Sequence, residues 1–111
     1  MSTRATKTYN LSKKTIRSGY VVTYKATSNS GFAINGDGII TVDFNFNSTP
    51  NNTVLFSREY PSGSKSNTVK INKKSFSTAI IFTGTGQYTV NIQNNDTSDL
   101  ILNSGTIEVT T

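Results

Sequence analysis

The sequence predicts an all-β fold, a single antiparallel β-sandwich or jelly roll of about eight or nine short strands. Three observations carry that prediction. Apolar residues fall in short alternating clusters, the pattern by which a half-buried sheet gathers a small apolar inventory onto one face. Groups of Gly, Pro, Asn, Asp and Ser punctuate the clusters. No segment sustains a helical period. Ser, Thr and Asn make up roughly two-fifths of the 111 residues, a composition close to that of disordered chains, and the alternation decides in favour of a folded sheet. The length supports one domain, with residues 1–9 an N-terminal arm or edge strand and residues 10–111 the sandwich.

Taken in order, Thr6–Leu11 alternates with Tyr9 and Leu11 on one face and forms the first strand. Ser12–Gly19 is a polar connection anchored by Ile16. Tyr20–Thr27 follows as a strand with Tyr20, Val22, Tyr24 and Ala26 facing one way, and Ser28–Gly31 turns. Phe32-Ala33-Ile34 and Ile39-Ile40 flank Asn35-Gly36-Asp37-Gly38, whose Asn-Gly and Asp-Gly pairs supply the positive φ that a tight hairpin needs. In the strand that follows, Ile40, Val42, Phe44 and Phe46 share the core face.

The polar insert Asn47–Asn52 then leads into a strand over Thr53–Tyr60. Its inward set is Val54, Phe56 and Tyr60 with Arg58, or Leu55 if a bulge intervenes. Pro61–Ser64 ends that strand. Thr68–Lys73 carries Val69 and Ile71 inward. In Ser75–Thr83 both faces hold apolar residues, Phe76, Ile80 and Phe82 against Ala79 and Ile81, which predicts a central, doubly covered strand. Tyr88–Ile92, Leu100–Leu102 and a last strand with Ile107 and Val109 complete the set, separated by turns at Gly84-Thr85-Gly86, Asn94–Ser98 and Asn103-Ser104-Gly105.

Composition argues against an enzyme. The chain has no Cys, His or Trp, so a Ser-His-Asp constellation and a thiolate nucleophile are excluded and a zinc site is not expected. Of the six acidic residues, Asp37, Asp96 and Asp99 lie in turns where Asp is favoured for backbone reasons. Asp43 and Glu59 are expected on adjacent strands, the one pair placed for acid–base work, though ordinary partners such as Arg58 are at hand. The oxygen-rich turns Asn35–Gly38 and Asn94–Asp99 supply too few carboxylates at alternating positions for a calcium loop. No cofactor is expected, catalytic, cofactor-binding and metal residues are assigned to none, and Gly84 and Gly86 lack the helix and lysine of a phosphate loop.

The net charge is +5, and Arg4, Lys7, Lys13, Lys14, Arg17 and Lys25 all precede the first acid, Asp37. Because these cations are interspersed and not in a block, they fit solubilised strand edges better than a nucleic-acid site. The tyrosines share faces with Val or Ile, which places them at the border of the core. The N-terminus lacks the apolar core of a secretory signal and no run reaches membrane-spanning length. Either the chain is made as written or a leader was removed; the expected location is extracellular or at a cell or spore surface.

The stretches VDFNFNSTPNNTVLF, KSNTVKINKKSFSTAIIFTG and VNIQNNDTSDLILNSGTIEVTT resemble the small jelly-roll subunits of Gram-positive endospore appendages, which are similarly short and Thr/Asn-rich. The resemblance implies assembly by strand addition between subunits and an N-terminal connector, to which Met1–Tyr9 corresponds by position. The chain departs from that family in lacking the connector cysteines that cross-link the fibre.

The leading expectation is therefore a non-catalytic, self-assembling subunit of a filament, pilus or surface layer, with Arg4, Lys7 and Tyr9 in the assembly arm. The alternative is a small carbohydrate-binding module or lectin using a ligand loop with Asn47, Asn51 and Asn52 to hold a glycan. A membrane-active β-toxin is a further alternative.

Overall fold

Among the described residues the alternating clusters resolve into ten strands: β1 (Thr6–Leu11), β2 (Lys14–Ile16), β3 (Val21–Tyr24), β4 (Phe32–Ile34), β5 (Asp37–Phe46), β6 (Thr53–Tyr60), β7 (Ser66–Ile71), β8 (Ser75–Thr83), β9 (Gly86–Asn94) and β10 (Leu100–Thr110). The structure, a computed structural model, describes residues 4–60 and 66–111. The expected turn Pro61–Ser64, residues Met1–Thr3 of the expected arm, and the side chains of Glu59 and Tyr60 fall outside the described residues. No helix long and apolar enough to cross a membrane occurs among the described residues.

The strands form two antiparallel sheets. Sheet A has the order β1-β10-β5-β8, with β2 also on β10, and sheet B the order β3-β9-β6-β7, with β4 also on β9. If β1 and β2 are taken as one interrupted strand, and β3 and β4 as another, eight strands remain. Their order is first-eighth-third-sixth in one sheet and second-seventh-fourth-fifth in the other, the two interlocked Greek keys of a jelly roll. The fold class is thus the expected one. The strand number exceeds eight or nine because Lys14–Ile16 is a short strand within the expected polar connection. The expected turn Asn103-Ser104-Gly105 is instead part of one continuous β10, where the extra residue is absorbed by a register shift between Leu102 and Ser104, and Tyr20–Thr27 is a strand only over Val21–Tyr24. Tyr20, expected inward, is 60% exposed.

The core lies between the sheets. Ile40, Val42, Phe44 and Phe46 of β5 and Leu100, Leu102, Ile107 and Val109 of β10 line the sheet A side. Phe32, Ile34, Leu55, Ile71, Tyr88, Val90 and Ile92 line the sheet B side. Aromatic edges lock the layers together: the Tyr9 ring meets Phe32 at 5.0 Å, and Phe82 meets Tyr88 at 4.0 Å. Gly105 permits tight packing where β10 passes β5, since a Cβ there would stand 2.7 Å from the Asp43 carbonyl oxygen.

Five expectations are corrected by the topology. Asn35–Gly38 is no hairpin: Gly36 takes its positive φ of 71° at a corner, because β4 belongs to sheet B and β5 to sheet A. The insert Asn47–Asn52 likewise joins strands of opposite sheets, so it must cross a gap of about 10 Å between layers. Asp43 and Glu59 are consequently on different sheets and form no adjacent pair.

β6 has the opposite phase to the favoured one. Thr53, Leu55 and Ser57 are fully buried while Val54 and Phe56 are only partly so, and its six-residue pairing with β7 runs without a register shift. The favoured phase held more of the strand's apolar residues, but the ladder to β9, which sets Leu55 beside Ile92 and Ser57 beside Val90, decides for the other. Finally, β8 is an edge strand, paired among the described residues only with β5, and its outward Ile81 is 70% exposed.

Candidate functional site

The expected assembly arm is largely an intramolecular strand. β1 pairs with β10 from Thr6↔Thr110 to Leu11↔Gly105, and the ladder continues through reciprocal amide bonds of 2.9 and 3.0 Å between Ala5 and Thr111. It crosses the expected boundary at residue 9 without interruption. Arg4 donates to the Asp37 carbonyl oxygen at 3.5 Å, the Lys7 ammonium lies 5.3 Å from the centre of the Tyr9 ring, and Tyr9 packs partly buried against the core. These three residues therefore share one sheet edge.

The expected ligand loop is held by a neighbour whose own sequence reads as a plain turn. The Asp96 carboxylate accepts from the Asn51 amide at 3.1 Å, the Asn52 amide at 2.6 Å and the Thr53 hydroxyl at 3.1 Å. Asn94 completes the frame. Its fully buried side-chain amide donates to the carbonyls of Ile16 and Ser98, and its Oδ1 accepts from the Asp96 amide. Ser18 donates its hydroxyl to the Asp96 carbonyl. Asn47 is tied down too, with its Oδ1 accepting from the Ile101 amide at 3.3 Å.

Asn47 and the Asn51-Asn52 pair thus serve, through side chain and main chain respectively, to cap strand ends and hold the crossing. The adjoining cleft is small, about 230 Å³, and is lined by Thr49, Asn51, Asp96 and Asp99 among others. A larger one, about 520 Å³, opens at the other end of the sandwich beside Lys25, Asn29, Asn35, Gln87 and Thr89. Nothing in the sequence pattern joins those residues, because the ladders that set β3 and β4 beside β9 pair segments distant in sequence. No group of three or more acidic side chains placed to hold a metal ion occurs among the described residues.

The free sheet edges differ in their chemistry. Sheet A ends in β1 and β8, and sheet B in β7 on one side and in β3 with β4 on the other. A free edge offers unpaired main-chain donors and acceptors to any extended chain, and proteins blunt it with charge, proline or brevity. β1 carries Lys7, β2 carries Lys14 and β7 carries Lys70. β3 and β4 are four and three residues long. β8 has none of these protections: its nine residues, SFSTAIIFT, include no charge and no proline.

No protein-family model matches the chain, and no curated protein matches it in sequence.

Proposed function

We propose that the protein is a non-catalytic structural subunit that assembles with copies of itself by strand addition at β8. The carrying observation is that long, uncharged, unblunted edge, with Ile81 70% exposed beside it. Strand addition there extends the sheet A ladder by main-chain hydrogen bonds and shields the row that β8 now leaves open. The resemblance to endospore-appendage subunits points to the same mode of assembly, and a location at a cell or spore surface goes with it. A chain without cysteine makes any such fibre free of disulfide cross-links.

The test is a lysine turned inward on the edge, a natural device against edge pairing. Thr78 is half-buried on the core-facing side of β8, where a lysine stem snorkels past the edge and carries its charge into the path of an added strand. At about 0.5 M salt, where contacts between exposed charges are screened, light scattering and electron microscopy of concentrated protein should show oligomers or fibres for the parent and monomers for Thr78→Lys, both with the same β-sheet circular dichroism. A parent that stays monomeric at every concentration sinks the proposal, as does a Thr78→Lys variant that assembles unchanged.

A further inference from the structure

The outer faces of the two sheets carry charge of opposite sign. On sheet A, alternation along β5 and β10 turns Asp37, Asp43 and Glu108 away from the core. The strand lysines of that sheet occupy core-side register positions, Lys7 opposite Val109 and Lys14 opposite Leu102. Arg4 stands at the rim, before β1, spent on the Asp37 carbonyl. On sheet B, Arg58 and Lys70 occupy the outward positions of β6 and β7, and Lys25 follows directly on β3. None of the outward side chains described on that sheet is a carboxylate.

Each face also has an apolar patch. Ile81, 70% exposed, stands opposite Ile39 on sheet A, while Val21, 45% exposed, lies in register with Gln93 and through it with Val54 on sheet B. Beside that patch the Arg58 guanidinium is 5.4 Å from the centre of the Phe56 ring.

We infer that these faces form a second, head-to-tail interface between copies of the chain, the acidic outer face of sheet A on one copy seated on the basic outer face of sheet B on the next. Like faces repel, which disfavours a closed two-fold dimer through either face. Unlike faces attract and desolvate their isoleucine and valine patches together. The contact is heterologous, and a repeated heterologous contact that does not close generates an open stack. The chain's net charge of +5 sharpens the orientation, because copies approaching in other ways meet net repulsion. This interface uses side chains on sheet faces and owes nothing to the main-chain edge of β8.

The experiment runs in the Thr78→Lys background, where edge addition is blocked, so that failure of one interface is told apart from failure of the other. In analytical ultracentrifugation at about 0.02 M salt this parent should associate, and raising salt to about 0.5 M should weaken association at least tenfold, because exposed charges are screened. Asp43→Lys with Glu108→Lys makes both faces basic; Arg58→Glu with Lys70→Glu makes both acidic. Each double variant should be monomeric alone, and an equimolar mixture of the two should associate again. Association of either double variant as strong as the parent's overturns the inference, as does a mixture that stays apart or a parent monomeric at low salt.

Discussion

The hydroxyl of Tyr24 is buried at the border of the core and has no hydrogen-bond partner among the described residues, and the same holds for the Ser57 hydroxyl inside it. Burial pushes the Tyr24 phenol above its ordinary pKa of 10.0, since ionisation would place a charge where water is scarce. The folded state thus holds the proton more tightly than the unfolded chain. Stability from this group is fully present below about pH 10 and is lost as pH rises through the folded pKa. Urea unfolding should therefore show Tyr24→Phe equal to the parent at pH 7 or up to about 1 kcal/mol more stable, because an orphan hydroxyl is removed. Above about pH 10 the advantage should widen; a gap that is constant or shrinks with pH contradicts the assignment. Tyr24 as a core-border residue was legible from its alternation with Val22. Ser57 was not, because no pattern of polarity announces a hydroxyl buried without a partner.

Among elements, the crossing Asn47–Asn52 shows how a loop that looks like surplus polarity is built. Its turn-forming composition was plain in the sequence, whereas its anchor, Asp96, lies 44 residues from Asn52 and resembles any other turn aspartate. Local rules see the Asx chemistry of Asn94-Asn95-Asp96 but not that the fold lays this turn beside the start of β6. The phase of β6 and the edge position of β8 were hidden for the same reason: neighbours across a sheet, not residues along a strand, decide which face is wet. Asp96→Ala strips three donors of their acceptor. It should cost about 2 kcal/mol, the loss of charge-assisted bonds to partly exposed groups. Hydrogen exchange provides the sharper reading. The amides of Asn51 and Asn52 should lose protection while those in the middle of β5 keep theirs, and uniform loss across the sandwich would show that the loop is no separate unit.

For the whole molecule, the sandwich class was legible because alternation and turn spacing are local, while the jelly-roll order was not, because its ladders join distant segments. β10 makes the point most strongly. It is the ladder partner of β1, β2 and β5, and pairs Thr6 with Thr110 across nearly the full chain. Of the neighbours in these two sheets only β6 and β7 follow one another in sequence; β5 with β8 and β6 with β9 pair across two intervening strands, and the rest across more. Long loops must close before such contacts form, which places folding in the millisecond-to-second range typical of β-sandwiches. Until β10 is present, β1 and β2 have no sheet to join, and β5 exposes the row it would pair with β10. Ile107 and Leu102, both fully buried, would leave the core with it. Truncation before Leu100 should therefore abolish cooperative folding altogether instead of trimming an edge. The full chain should show one sigmoidal loss of its β-sheet circular dichroism on heating and a single main refolding phase, and the truncated chain no cooperative transition. A truncated chain that melts cooperatively near the parent's midpoint would mean that β10 is an accessory to the sandwich and not the strand that closes it.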